Sequence, residues 1–353
     1  MLLVSLVFCL AIVAAVAPAE AAWPEHPRGY VCYRASESIT IDGRLDEGSW
    51  RAVPWTQSFR DIQGPALPKP LYRTRAKMLW DDEYLYIGAE LQEPHVWATL
   101  TEHDSIIFQD PDFEIFIDPD GDNHDYYEIE INALNTEWDL RLPKPYRDGG
   151  PALNEWEIPG LKTAVHVDGT LNYPSDRDHG WTVEMALPWK VLGEYAHRPS
   201  PPSHGDQWRI NFSRVEWQVT IADGKYHKVP GKPEDNWVWS AQEVIDMHRP
   251  ERWGYVQFST DAPAKTRFRR DPSFLPRMYL MRVYYAQVEY HKTHGRYAES
   301  LSDLGSTVQA LPPHTSAPTL SLTAEGYEAT VTLTQAREQR RLYVRQDSKL
   351  WES

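Results

Sequence analysis

Cysteine is nearly missing from this chain: among 353 residues only Cys9 and Cys32 carry a thiol. Cys9 falls in the apolar start of the chain, so no intrachain disulfide is available to the remainder. Cys32 is expected to be a small packed residue. There is no Gly-x-Ser-x-Gly, no phosphate-cradling glycine loop, no Cys-x-x-Cys and no His-Glu-x-x-His. Those absences remove the usual signatures of serine hydrolases, nucleotide enzymes and zinc sites. No run after residue 22 is apolar enough to cross a bilayer. Positive charge is scarce too, with 36 Lys+Arg against 51 Asp+Glu and a net of −15. The deficit is local. Residues 23–261 hold 23 basic and 41 acidic groups, whereas 262–353 hold 13 and 9. So acidic a unit repels nucleic acid and anionic lipid but accepts neutral ligands and cations.

What is present begins with an uncharged apolar run, Leu2 to Val16, followed by the small-x-small site Ala19-Glu-Ala21. Residues 1–22 are therefore expected to be an export signal, although its start lacks Lys or Arg. The mature chain is expected to be secreted or periplasmic, with no membrane contact after cleavage. From Ser38 to Phe258 short strands alternate with Pro-, Gly- and Asp-rich breaks. Arg75–Trp80 and Tyr84–Leu91 flank the acidic turn Asp81-Asp-Glu83, a hairpin signal. Trp181, Val183, Met185 and Leu187 share one face of another strand, and Pro188–Leu192 reads as a short helix. Without βαβ alternation, this spacing predicts a mainly β fold, an antiparallel β-sandwich over 23–261. A polar linker, 262–276, leads to a small α+β unit over 277–353. That unit opens with a helix from Met278 to His294, stopped by Gly295, and continues into strands at 326–333 and 341–345.

Three strands in the sandwich carry polar residues on one face and apolar ones on the other. They supply Glu114, Glu128, Glu130, Asn132, Arg209, Asn211 and Ser213, a donor and acceptor set suited to a polyhydroxylated ligand. If Ile117 lies opposite Tyr127, Glu114 faces Glu130, and like charges so placed need a compensating proton, cation or arginine such as Arg209 or Arg214. Fourteen of the 15 tryptophans lie in 23–261. Trp237 and Trp239, beside Asp235 and Asn236, are candidate stacking platforms for sugar rings. Asp118, Asp120, Asp122 and Asp125 form either half of a calcium loop or a solvated hairpin turn. Two rivals to carbohydrate binding are a haem-binding electron-transfer domain, using Met247 or His248, and a protein-interaction scaffold. A third, a glycosidase using the paired carboxylates, is not expected.

Several blocks resemble the family 9 carbohydrate-binding modules and their wider family 9-like, DOMON-like group. They are Ile41-Asp-Gly-Arg-Leu-Asp-Glu-Gly-Ser-Trp50, Trp80-Asp-Asp-Glu-Tyr-Leu-Tyr86, Asp112-Phe-Glu-Ile-Phe-Ile-Asp-Pro119, Tyr127-Glu-Ile-Glu-Ile-Asn132 and Gly180-Trp-Thr-Val-Glu-Met-Ala-Leu-Pro-Trp189. Trp208–Arg214, Asn236–Ser240 and Trp253–Phe258 continue the likeness. The resemblance implies a sandwich that binds glucose- or xylose-type sugars between two aromatic rings, commonly with structural calcium and often attached to hydrolases of plant polysaccharide. By position, Trp239 matches one ring and Phe108 the other, while Glu114 and Asn132 match polar contacts. Phe108 replaces a tryptophan, and Glu130 stands where binders present arginine. The last 75 or so residues look similar to the globular end of type IV pilin-like proteins, through Tyr285–Tyr297 and Ser300–Leu304. A protein partner for that unit is a further expectation.

Overall fold

The computed structural model describes residues 23–335 and 338–353; the expected export signal lies outside them. In chain order the first unit contains β1 (Gly29–Arg34), α1 (Gly48–Ala52), β2 (Arg60–Asp61), β3 (Thr74–Trp80), β4 (Tyr84–Gln92), β5 (Asp112–Asp118), β6 (Tyr126–Asn132) and β7 (Glu137–Leu142). It continues through β8 (Lys162–Asp168), β9 (Gly180–Pro188), α2 (Trp189–Leu192), β10 (Gln207–Glu216), β11 (Val219–Ala222), β12 (Lys225–Lys228), β13 (Asp235–Val238) and β14 (Gly254–Ser259). The main sheet runs β7-β6-β5-β10-β14-β1-β3-β4-β9-β8, with β13 and β2 branching from β10.

This long sheet curls until its two halves face each other as a sandwich. Side chains alternate across a strand, so Phe113, Ile115 and Ile117 of β5 point inward with Ile210 and Phe212 of β10. They meet Leu85, Ile87 and Ala89 of β4 and Val183 and Met185 of β9 in one core cluster. The sandwich is antiparallel as expected, except at β1. That strand pairs parallel with both β14 and β3, closing the curl between segments far apart in the chain. Tryptophan fills the core. Trp80, Trp189, Trp208 and Phe258 sit edge-to-face, with centroids 5.5–6.4 Å apart, the arrangement that aromatic quadrupoles favour.

The second unit has α3 (Phe274–His294), β15 (Thr319–Leu322), β16 (Tyr327–Gln335), β17 (Glu338–Arg345) and β18 (Leu350–Glu352). The helix begins at Phe274, four residues earlier than its periodicity suggests, because Pro276 is tolerated in a first turn. It ends at Gly295, whose φ of 68° is the left-handed stop. Leu280, Val283 and Tyr284 pack on Val331, Leu342 and Val344 of the four-stranded sheet. Trp23, from the other end of the described chain, joins that cluster, its ring 3.9 Å from the Arg282 guanidinium.

The acidic turn between β5 and β6 is not a solvated hairpin. It is the seat of the second unit. Asn123 Nδ2 donates to Ser348 O at 2.9 Å, Leu350 N to Asp122 O at 2.9 Å and Arg277 to Gly121 O at 2.8 Å. Lys349 pairs with Asp122 at 2.9 Å. A second seam lies beside it, where Glu251 accepts from Arg147 and from the Tyr285 hydroxyl, at 3.0 and 2.6 Å.

Candidate functional site

The outer face of β6, β5 and β10 carries the polar residues the alternation predicts, yet it is covered: Glu114, Glu128, Glu130, Asn132, Arg209, Asn211 and Ser213 are all buried. Three different covers divide it. At one end Arg209 donates to the Tyr255 hydroxyl and to Trp253 O, its guanidinium 4.1 Å from the Tyr255 ring. In the middle, Asn211 and Ser240 exchange hydrogen bonds of 2.8 and 2.9 Å, anchoring the segment that runs from β13 to β14. At the other end the face opens into a cleft of about 260 Å³, lined by Glu114, Glu128, Glu130, Phe108, Trp138, Tyr146 and Asn236 among others.

Ile117 does lie opposite Tyr127, and Glu114 opposite Glu130. On the other side Glu114 faces Ser213 of β10. Phe108 is pinned at the cleft by both of its peptide groups. Its N–H donates to Glu130 Oε2 at 2.9 Å, and its carbonyl accepts from Trp217 Nε1 at 2.9 Å. The loop bearing it is tied down by Asp110, which accepts from Thr99 N, Leu100 N and Asn132 Nδ2. Tyr146 forms the opposite lip, 4.4 Å edge-to-face from His248.

Among the described residues no basic side chain pairs with these acids. Arg214 sits on the inner side of β10, paired with Glu93 and Glu216, and Arg209 is at the far end. His248 shares a 3.0 Å hydrogen bond with the Tyr126 hydroxyl. Burial and the neighbouring Arg147 press its pKa down to about 3, so its ring is neutral near pH 7. The carboxyls respond in the opposite direction. Burial, together with Glu234, outweighs the Ser213 hydroxyl and pushes Glu114 up to about 7. Burial and mutual repulsion raise Asp112, Glu128 and Glu130 well above the carboxylate range. Their shared neighbours are other carboxylates. Asp112 accepts one bond, from Val215 N, while its Oδ2 is buried without a partner.

Several sequence expectations need correction. Phe108, Glu114 and Glu130 converge on the cleft. Trp237 and Trp239 do not: they are 4% and 1% exposed and belong to the core. Trp239 packs against Phe212, with centroids 5.8 Å apart, and Gly254 leaves no room for a Cβ beside its ring. Neither indole can stack on a ligand in this arrangement. Asn132 spends its amide on Leu100 O, Asp110, Leu134 N and Thr136 N, clasping a turn rather than facing the cleft. Arg209 is likewise engaged by the protein. Glu128, Trp138 and Tyr146 line the cleft instead. Glu128 was legible from the strand alternation; the two aromatics have no local signal that separates them from core residues.

Of the four aspartates proposed for calcium, Asp118, Asp120 and Asp122 bring oxygens within 4.8 Å of one another. Asp125 turns away to Arg141. The other three are already occupied: Asp118 accepts from Gly121 N and Asn123 N, Asp120 from Asp122 N, and Asp122 from His124 N and Lys349. This donor set fits a turn that seats the second unit better than it fits an open cation site.

The chain is similar to several known proteins. Over 152 residues the chain is 26% identical to an exoglucanase XynX of Acetivibrio thermocellus, covering 43% of this chain and 12% of that protein. Over 116 residues it is 25% identical to an endo-1,4-beta-xylanase A of Thermoanaerobacterium saccharolyticum, covering 33% and 8%. The match thus spans about an eighth or less of these relatives' own length. A family 9 carbohydrate-binding module of Caldicellulosiruptor kristjanssonii, solved with cellotriose, aligns over 69% of this chain and all of its own at 16% identity and a TM-score of 0.43. The same organism's module solved with glucose aligns over 68% and 100%, at 16% identity and 0.43. Residues 41–259, well over half of the chain, match the family described as carbohydrate family 9 binding domain-like, and the chain belongs to that family.

Proposed function

We propose that this protein binds a sugar of plant glucan or xylan type in the cleft beside Phe108, by recognition without covalent chemistry, as part of polysaccharide catabolism. One observation carries this reading. The half-buried phenyl ring of Phe108, whose backbone is held at both N–H and carbonyl, stands beside three carboxyl groups that line the same opening and offer it acceptor oxygens. A pyranose offers apolar C–H faces to such a ring and hydroxyl donors to such acceptors. Trp138 and Tyr146 supply further apolar surface. Glu114 and Glu130 lie directly across one strand pair and so meet a ligand from the same side. Hydrolysis requires carboxyls flanking the scissile bond, which favours binding over catalysis.

The expected export signal, if present and cleaved, puts this recognition outside the cytoplasm, where such polysaccharides are met. No helix among the described residues is long and apolar enough to cross a membrane. The second unit serves as a brace that keeps the β5–β6 turn in place. Affinity electrophoresis in soluble xylan and glucan tests the main reading. Phe108→Ala is expected to abolish retardation while Trp239→Phe retains it. Equal retardation of Phe108→Ala and the unaltered protein would sink the assignment.

A further inference from the structure

The cleft and the strand end beside it hold more carboxyl groups than a neutral sugar explains. Asp112, Glu114 and Glu130 each bring one carboxylate oxygen within 4.8 Å of the others, and all three are buried, at 0%, 5% and 2% exposure. Two oxygens ligating one calcium at about 2.4 Å can be at most about 4.8 Å apart, and every pair among the three meets that limit. Buried carboxylates ordinarily have a cation or hydrogen-bond donors opposite them. Here the donors are few. Val215 N reaches Asp112 Oδ1, Phe108 N reaches Glu130 Oε2 and the Ser213 hydroxyl faces Glu114, each orienting one carboxyl group. Asp112 Oδ2 is fully buried and has no partner at all. The arginines that could compensate are engaged elsewhere: Arg209 with Tyr255 and Trp253, Arg214 with Glu93 and Glu216. Lys228 lies 3.4 Å over the Trp217 ring and pairs with none of the three.

We propose that Asp112, Glu114 and Glu130 hold a Ca²⁺ ion at the edge of the cleft, and that sugar hydroxyls complete its coordination. This rests on the carbohydrate reading above and specifies how the site works. Calcium takes six to eight oxygens, roughly, and prefers carboxylates and neutral oxygens. Three carboxylates leave positions unfilled, and two of the three, Glu114 and Glu130, line the cleft together with Phe108 and Trp138. Two neighbouring hydroxyls of a pyranose can fill them while its ring lies on the phenyl group. Glu130 then has a role as an acid, an ion ligand rather than a damaged sugar contact. The Asp118–Asp122 turn differs in the way that matters: its oxygens already accept main-chain N–H groups and a lysine.

Titration calorimetry of the full chain, stripped with EDTA and dialysed, tests this directly. CaCl₂ is expected to bind at a site that Glu130→Gln and, separately, Glu114→Gln abolish and Asp120→Asn retains, with circular dichroism confirming that each variant folds. Xylotriose or cellotriose is expected to bind at least tenfold more weakly in EDTA than in CaCl₂. No calcium heat, or a heat unchanged in both cleft variants, overturns the ion site. Oligosaccharide binding that is equal with and without EDTA overturns calcium's part and leaves the carbohydrate reading standing. Calcium binding as expected with neither sugar bound upholds the ion site and overturns that reading instead.

Discussion

Two groups of buried acids sit on opposite faces of the same strand end. On the inner side of β10, Arg214 is wholly enclosed and holds Glu93 and Glu216 at 2.5 and 2.6 Å, with the Trp237 ring 5.3 Å away. One residue earlier, on the outer side, Ser213 faces Glu114, and beyond it lie Asp112, Glu128 and Glu130 with no basic partner among the described residues. The first group is closed by the fold itself. The second is left open, and it is the one that borders a cleft. A strand that can supply arginine on one face and only a hydroxyl on the other separates a structural ion pair from a binding site, at a spacing of one residue.

The largest expected effect breaks the closed group. Arg214→Met leaves two carboxylates buried without their cation, and removing one partner of a buried pair typically destabilises by about 3–5 kcal/mol. Urea unfolding measures it. A loss below about 1 kcal/mol would mean that Glu93 is protonated in the native protein and the pair is not ionic. Burial and Glu216 already push Glu93 up to about 9 against the opposing pull of Arg214, whereas the two short contacts argue for an ionised network. The geometry is the stronger guide, because both glutamates reach the same guanidinium.

A comparable loss is expected at Trp239. Its deletion to alanine empties core volume against Phe212 and Gly254, at a cost of about 3–5 kcal/mol. Phe108→Ala is the matched opposite. It should leave the unfolding midpoint nearly unchanged and weaken sugar binding about tenfold or more, equivalent to about 1.4 kcal/mol. If the two variants trade places, with Trp239 governing affinity and Phe108 stability, the cleft is not the ligand site.

The seam between the units gives a smaller effect with a pH signature. Burial pushes Glu251 up, but Arg147, the Tyr285 hydroxyl and Arg249 together hold it below its ordinary value. A carboxyl with a lowered native pKa stabilises above its unfolded pKa, and that contribution fades as pH falls through the native value. Glu251→Gln is therefore expected to lose about 1.5–3 kcal/mol at neutral pH, the range for a charge-assisted bond. The gap from the unaltered protein should close in acid, below about pH 4.5. A gap that stays constant between pH 7 and pH 3 would remove Glu251 as an ionised link.

Much of this was legible in the chain because alternation is a short-range signal. It located the β3–β4 hairpin, the β9 face, the Glu114–Glu130 pairing and the helix that Gly295 ends. Alternation says which residues share a face, not what covers it. Trp237 lies on a four-residue strand beside Asn236, and Trp239 follows just past its end beside Ser240, so nothing local distinguishes inward from outward. The β5–β6 turn is rich in turn formers whether it meets water or a domain more than 150 residues away, and its partners at Arg277, Ser348 and Leu350 lie too far along the chain to be paired by eye. The parallel placement of β1 is hidden for the same reason, since β14 follows it by some 220 residues.

The smallest expected effect has the opposite sign, and it sharpens the contrast. Glu128 lies in the open group, where burial and the Glu114 charge raise it and a bond with Glu130 lowers it, with no ion pair of its own among the described residues. Removing one of several like charges relieves repulsion worth roughly 0.2–1 kcal/mol across a strand pair. In EDTA, Glu128→Gln should therefore leave stability unchanged or raise it by that amount, while the same change at Glu93 lowers it. The difference follows from what each carboxylate meets, since both are glutamates and nearly equally buried, at 5% and 2% exposure. Equal destabilisation by both substitutions would show that the outer acids are as firmly partnered as the inner ones, and the cleft would lose its claim to be waiting for a ligand.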